Sequence, residues 1–153
     1  MSWLFGGELL AVGNEAPDFR LSDESGRAVQ LSSFRGKQPV VLVFYPMDET
    51  PVCRGQLCEL RDHWDAFTER GVAVLGINPG RTASHLKFKQ RHNFAFPLLV
   101  DEGKKVASRY GAAGLAGGLI VKRSVYAIGK DGRIVFAQRG KPPSREILAA
   151  IPS

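Results

Sequence analysis

Val40-Val41-Leu42-Val43-Phe44-Tyr45-Pro46-Met47-Asp48-Glu49-Thr50-Pro51-Val52-Cys53 is the stretch whose reading decides the fold. Its first six residues are apolar without interruption and rich in β-branched and aromatic side chains. Such a run suits a strand buried on both faces, as in a parallel sheet, because a half-exposed strand would alternate with polar residues. Pro46 cannot donate to a ladder and ends the run. Thr50 and Pro51 then read as a helix start: threonine is a good N-cap, and proline is favoured at the first helical position. A buried strand feeding a helix is the repeating unit of an α/β fold.

Counting from Thr50 as N-cap puts Cys53 at the third helical position. There the free N–H groups of the first turn and the helix dipole favour an anion. That matters because a thiol acts as a nucleophile only as its thiolate, and an ordinary cysteine, with a pKa of about 8.5, is mostly protonated at neutral pH. The strand also delivers this turn to the carboxyl edge of the sheet, where open α/β folds build their sites.

Reading outward, the helix is expected to run to about Arg70, where Gly71 stops it, with Leu57, Leu60, Trp64 and Phe67 on its buried face. Residues 72–77 form a second apolar strand, 82–92 a helix, 96–100 a short strand and 104–110 a short helix. Residues 124–128 and 134–137 flank Asp131-Gly132, a strong hairpin signal, and 144–151 form a closing helix after Pro142-Pro143. Upstream, residues 16–21 are extended, Ser25-Gly26 is a turn and 29–31 complete an N-terminal hairpin. The expectation is one domain over 1–153 of the α/β class, with a central mixed sheet flanked by helices. Its element order is that of a thioredoxin-like layout with an N-terminal hairpin extension.

The chain's 153 residues suffice for a core that folds alone, and 44% apolar with 24% charged residues is an ordinary globular balance. Net charge is +6, from 21 basic and 15 acidic residues, but the basic residues are scattered. Lys87, Lys89 and Arg91 read as the solvated face of one helix. No aromatic interleaving suggests base stacking, so no nucleic-acid partner is expected. No apolar run approaches the roughly 20 residues of a membrane span. Residues 1–10 lack a basic start and are interrupted by Gly6, Gly7 and Glu8, a poor secretory signal that points to a cytoplasmic location. Two cysteines are too few for a disulfide scaffold. His63, His85 and His92 show no metal-ligand spacing with them, so neither a metal nor another cofactor is expected.

The segment Pro46-Met47-Asp48-Glu49-Thr50-Pro51-Val52-Cys53 resembles the Pro-x-x-x-Thr-x-x-Cys signature of the peroxiredoxins. The spacing Cys53-x-x-x-x-Cys58 resembles their Q-type, or bacterioferritin comigratory protein, branch. Ala16-Pro17-Asp18-Phe19, Phe96-Pro97-Leu98-Leu99 and Arg123-Ser124-Val125-Tyr126-Ala127-Ile128 fall where that family has similar segments. The resemblance implies a thiol-dependent peroxidase acting on hydrogen peroxide and organic hydroperoxides. It implies Cys53 as the attacking sulfur, Thr50 as a hydrogen-bond donor to peroxide and thiolate, and Pro46 as a shield against water. Arg123 would stabilise the thiolate and the transition state, and Cys58 would convert the Cys53 sulfenic acid to an intramolecular disulfide that thioredoxin or glutaredoxin reduces. Monomeric and homodimeric relatives both exist. These roles suit a reaction in which charge develops on a departing oxygen and an arginine stays protonated throughout.

Three positions depart from the branch. Val52, Arg54 and Gln56 stand where many Q-type sequences carry glycine, threonine and glutamate. Arg54 adds positive charge beside the sulfur, and Gln56 removes a carboxylate. Gly111 to Gly118 is a glycine-rich stretch, expected to be a mobile loop near the site with no assigned role. Five helical residues separate Cα atoms by about 8.6 Å, beyond the roughly 7 Å limit of a disulfide. If Cys58 resolves Cys53, the first turns of the helix must unwind.

Each residue taken singly has an ordinary reading: Thr50 as a cap, Pro46 as a strand terminator, Arg123 as a surface arginine, Cys53 or Cys58 as an apolar filler. A thioredoxin-type disulfide oxidoreductase would need Cys-x-x-Cys and a proline near Lys122-Arg123; four residues intervene and the proline is absent. A copper-chaperone-like module needs a cysteine spacing shorter by one residue and a well-placed histidine, and no histidine has an evident role as partner to the cysteines. A non-catalytic redox sensor uses the same sulfur chemistry and stays open.

Overall fold

The alternation of side chains in β3 (Val40–Phe44) sorts the core in two. This computed structural model describes residues 8–48, 51–114 and 120–152, and the side chains of all of these except 51–54. In chain order its elements are β1 (Arg20–Ser22), β2 (Ala28–Gln30), β3, α1 (Pro51–Asp62), α2 (Trp64–Glu69), β4 (Ala73–Asn78) and α3 (Thr82–His92). There follow β5 (Leu98–Val100), α4 (Lys105–Arg109), β6 (Ala113–Gly114), β7 (Ile120–Val121), β8 (Ser124–Ile128), β9 (Ile134–Arg139) and α5 (Ser144–Ala149). Seven strands form one sheet in the order β2-β1-β5-β4-β3-β8-β9. β3 lies parallel to β4 and antiparallel to β8, so both its edges are paired.

Val41 and Val43 point to the face covered by Leu57, Leu60, Phe67, Phe88 and Ile147. Val40, Leu42 and Phe44 point to the opposite face, against Phe19, Val106, Tyr110 and Tyr126. The uninterrupted apolar run is thus explained: all five strand residues are buried, each stabilising the fold by roughly 2 kcal/mol.

The N-terminal hairpin pairs Arg20 with Gln30 and Ser22 with Ala28, and joins the sheet through Ser22 opposite Val100. Its turn is clipped to the sheet edge by Glu24, whose carboxylate accepts from the Leu98 amide and pairs with Lys89 at 3.3 Å. Lys89 therefore does not belong to a purely solvated helix face, because the hairpin turn folds over it.

Two expected boundaries are corrected. The helix after Thr50 does not run unbroken to Arg70: it breaks at His63, whose backbone (φ −104°, ψ 17°) leaves the helical region. A straight twenty-residue helix would span about 30 Å, against about 17 Å for the five-residue strand it covers. The break keeps both halves on the sheet, with Trp64 packed on Phe96 at 5.9 Å between ring centroids and Phe67 in the core. The glycine-rich 111–118 stretch is not wholly a loop: Ala113 and Gly114 pair with Val121 and Ile120, and 115–119 lie outside the described residues. Among the described residues, no helix is long and apolar enough to cross a membrane.

Candidate active site

Three strands bring their ends to one edge. Phe44 closes β3; the antiparallel register sets Ser124 opposite it, so Arg123 lies beside the chain as it leaves the strand. On the other side Ile77 pairs with Phe44, which puts Asn78 at the same level. From this edge the chain passes through half-buried Pro46 and enters α1, of which Cys53 is the third residue. Thr50, the expected cap, lies outside the described residues.

Arg123 reaches α1 itself. Its Nη1 donates to Gln56 Oε1 at 3.2 Å, Gln56 Nε2 donates to the Gly140 carbonyl at 3.2 Å, and the Gly140 amide donates to the Arg123 carbonyl at 2.9 Å. This closed ring of bonds ties the turn before β8 and the end of β9 to the helix. Gln56 follows Cys53 by three residues, and residues three apart share a helix face. An amide here binds the guanidinium without neutralising it, where a carboxylate would form an ion pair. Arg139, at the end of β9, donates to Ser124 Oγ at 2.8 Å.

Cys58 is a half-buried free thiol packed against the core cluster under α1. Both cysteines lie on one continuous helix, whose geometry separates their Cα atoms by about 8.6 Å.

Asp48, two residues after Pro46, is held by a cluster that sequence reasoning missed. Asp48 Oδ1 accepts from the Tyr45 hydroxyl at 2.8 Å; Oδ2 accepts from the Ser84 hydroxyl at 2.7 Å and from His85 Nδ1 at 2.8 Å. Burial pushes the Asp48 carboxyl up, but hydrogen bonds from His85 and Ser84 and the charge of His85 more than reverse this and hold it below its usual range. Burial pushes His85 down, and its bond and charge interaction with Asp48 more than offset that, leaving it above its usual value. Among the described residues, no group of three or more His, Cys, Asp or Glu could hold a metal ion.

Residues 12–137 match the AhpC/TSA family. The chain belongs to that family. It is similar to the chloroplastic peroxiredoxin Q of Oryza sativa subsp. japonica, with 43% identity over 127 residues, 83% of this chain and 58% of that protein. It is also similar to peroxiredoxin Bcp of Bacillus subtilis, with 36% identity over 131 residues, 82% of this chain and 83% of that protein. Among solved structures, peroxidoxin BcpB from Mycobacterium tuberculosis superposes with a TM-score of 0.85 at 29% identity, covering 92% of this chain and 96% of that one. PrxQ from Xylella fastidiosa gives 0.83 at 26% identity, covering 93% and 94%. The mixed sheet with its flanking helices is therefore the thioredoxin-like fold in its peroxiredoxin form. The chain spans 58% of the length of the rice relative and 63% of that of the peroxiredoxin Q of Suaeda salsa.

Within this AhpC/TSA chain, His85 pairs with Asp48, 37 residues earlier. Nothing in local periodicity joins the two, because parallel pairing of β3 with β4 and the return through α3 bring them together. The only local signal was a charged residue sitting between a buried strand and a helix start. Gln56 was singled out for the carboxylate it lacks; its bonds to Arg123 and Gly140 are what the sequence could not display.

Proposed function

We propose that the chain is a thiol-dependent peroxidase in which the Cys53 thiolate attacks the O–O bond of a hydroperoxide. The observation that carries this reading is the convergence of Arg123 and the first turns of α1 at the end of the central buried strand. Cys53 occupies the helix mouth, where free N–H groups favour an anion. Arg123 reaches that helix through Gln56, three residues after Cys53, and a guanidinium fixed before the reaction lowers the cost of charge developing on oxygen. The S–O bond forms as the O–O bond breaks; the sulfur is oxidised to sulfenic acid, and the departing alkoxide or hydroxide takes a proton to leave as alcohol or water.

Thr50 would donate to the peroxide, and Pro46 would keep water from the sulfur. Cys58 would then attack the sulfenic acid as its thiolate, forming the disulfide and releasing hydroxide, which takes up a proton to become water. Thioredoxin or glutaredoxin would reduce that disulfide by exchange, which requires a reducing compartment such as the cytoplasm. Because the cysteines start on one helix, the resolving step needs the N-terminal turns of α1 to open.

The test is consumption of hydrogen peroxide with thioredoxin as reductant, by the wild type, Cys53→Ser and Cys58→Ser. Cys53→Ser is expected to lose all turnover. Cys58→Ser is expected to form one sulfenic acid per chain and then turn over poorly. Reduction of protein disulfides without any peroxide consumption would instead favour a thioredoxin-like oxidoreductase.

A further inference from the structure

The stretch that carries both cysteines is bounded by two polar clasps. Beyond Cys58, Glu59 accepts from the Ser144 amide at 3.2 Å and the Ser144 hydroxyl at 2.7 Å, tying α1 to α5. Arg61 Nη1 donates to the His92 carbonyl at 2.7 Å. Before Cys53, the chain is held at Asp48 by Tyr45, Ser84 and His85. Between the clasps, residues 51–58 of α1 are those that must rearrange if Cys53 is to meet Cys58.

The N-terminal clasp is unusual in its chemistry. His85 Nδ1 faces the Asp48 carboxylate, and Nε2 faces the Leu99 carbonyl at 3.0 Å. Both partners are acceptors, so the ring satisfies both only when each nitrogen carries a proton, as an imidazolium. The His85 side chain is 0% exposed and that of Asp48 4%. The surroundings close over the pair. Asn78 Nδ2 donates to the Tyr45 carbonyl at 3.0 Å, and its Oδ1 accepts from the Gly80 amide. Gly80 lies so close that a Cβ there would sit 3.1 Å from the His85 ring and 2.7 Å from Asn78 Oδ1. Moving Asp48 away would leave a buried cation without its counter-charge, which is strongly unfavourable in a low-dielectric interior.

We propose that Asp48 and His85 are positioning residues for the peroxidatic turn: the buried pair pins the chain five residues before Cys53, keeps the mouth of α1 folded during attack on peroxide, and confines later unwinding to residues 51–58 of the helix. This rests on the peroxidase reading. The two residues touch no substrate and act through the backbone that leads to Cys53.

The pair also makes the device responsive to pH. The groups facing His85 are Asp48 from the segment after β3, the Tyr45 ring, the Asn78 backbone at the end of β4 and the Leu99 carbonyl of β5. On its own helix, Arg81 and Lys89 stand one turn away on either side, and Lys89 is engaged by Glu24. Asp48 thus supplies the counter-charge. Deprotonation of His85 removes one of its two donors and slackens the clasp.

The experiment is amide exchange, read as protection factors for residues 51–58 and for β3 and β4, in the reduced full chain as wild type, Tyr45→Phe, His85→Gln and Asp48→Asn. Protection of 51–58 is expected to fall in that order, by at least about tenfold in Asp48→Asn, while β3 and β4 fall by no more than the loss of global stability read from urea unfolding. In the wild type it should decline as pH rises through the His85 titration, and His85→Gln should abolish that step. In a Cys58→Ser background, the rate constant with hydrogen peroxide should fall in the same order. Should Asp48→Asn prove too unstable, Tyr45→Phe keeps the ring and removes one donor, and decides the matter at smaller amplitude. Protection of 51–58 and rates within twofold of wild type, in a variant whose global stability has fallen, would overturn the proposal. If Cys58→Ser itself fails to react with peroxide, the peroxidase reading falls, while exchange alone still supports or refutes the pinning.

Discussion

Two contacts flank the cysteine-bearing turn, and they are made of opposite materials. The segment leading into α1 is held by a carboxylate and an imidazolium with side chains almost wholly out of solvent. The helix is held one turn past Cys53 by an amide that bridges Arg123 and Gly140, both bonds at 3.2 Å. The first contact is charged, buried and shared among β3, α3 and β5. The second joins an uncharged amide to the guanidinium of a half-buried arginine. The difference matches what each side must do. A pinned approach can stay fixed through a reaction cycle, whereas a helix turn that opens to form a disulfide needs contacts that break cheaply.

The largest effect expected from this contrast is that of Asp48→Asn. Removing one partner of a buried ion pair leaves the other uncompensated and typically costs about 3–5 kcal/mol. For a chain of this size that corresponds to a fall in Tm of roughly 10 °C. Thermal unfolding of the reduced protein checks it. A change no larger than that of Gln56→Ala would erase the asymmetry between the two contacts.

The pH dependence of stability follows from the same pair, with opposite signs at its two ends. His85 sits above its usual value when folded, so its contribution is complete below the unfolded pKa of about 6.5 and is lost as pH rises through the folded value. Asp48 sits below its usual value, so its contribution is present above about 3.8 and is lost as pH falls through the lower folded value. The pair is intact between these limits. Urea midpoints measured on the two sides of the His85 transition should show a decline toward alkaline pH that His85→Gln lacks. An unchanged slope in that variant would show that the histidine carries no buried charge.

Sequence and structure diverge where contacts stop being local. The buried strand, the helix start at Pro51 and the hairpin around Asp131-Gly132 follow from apolar runs and turn chemistry within a few residues. The placement of Arg123 at the site edge follows once β8 is taken as antiparallel to β3, since a residue just before β8 must land where β3 ends. The break at His63 was not legible, because Leu57, Leu60, Trp64 and Phe67 keep helical spacing across it and only the length of the sheet forbids a straight rod. The space under Tyr45 was equally hidden. Its ring lies over Gly76, where an added Cβ would come within 3.4 Å of the ring and 2.7 Å of Leu98, so a glycine inside an apolar strand was the trace of a tertiary contact.

A smaller effect sharpens the comparison from its neutral side. Gln56→Glu would replace the amide on Arg123 by a carboxylate and bring a negative charge one turn from Cys53. A like charge at that range, partly screened, disfavours a thiolate by about 1 kcal/mol. Peroxide attack should slow by roughly threefold to tenfold near neutral pH, and its pH profile should move upward. The rate constant of the Cys58→Ser background as a function of pH reads both. An unchanged profile would place Arg123 and Gln56 outside the electrostatics of the sulfur.

The smallest effect belongs to Ser84→Ala. The Ser84 hydroxyl is one of three donors to Asp48, but Ser84 itself is exposed in the first turn of α3. Losing one hydrogen bond to a charged acceptor costs about 1.5–3 kcal/mol where water is excluded. At an exposed position water can replace the hydroxyl, and alanine is a better helix former by about 0.5 kcal/mol. The net change should stay within about 1 kcal/mol, and protection of residues 51–58 should fall less than in Tyr45→Phe, whose hydroxyl meets the other Asp48 oxygen from a buried ring. If Ser84→Ala instead matched Asp48→Asn in stability and exchange, the pinning would reside in the start of α3 and not in the buried charge pair beneath it.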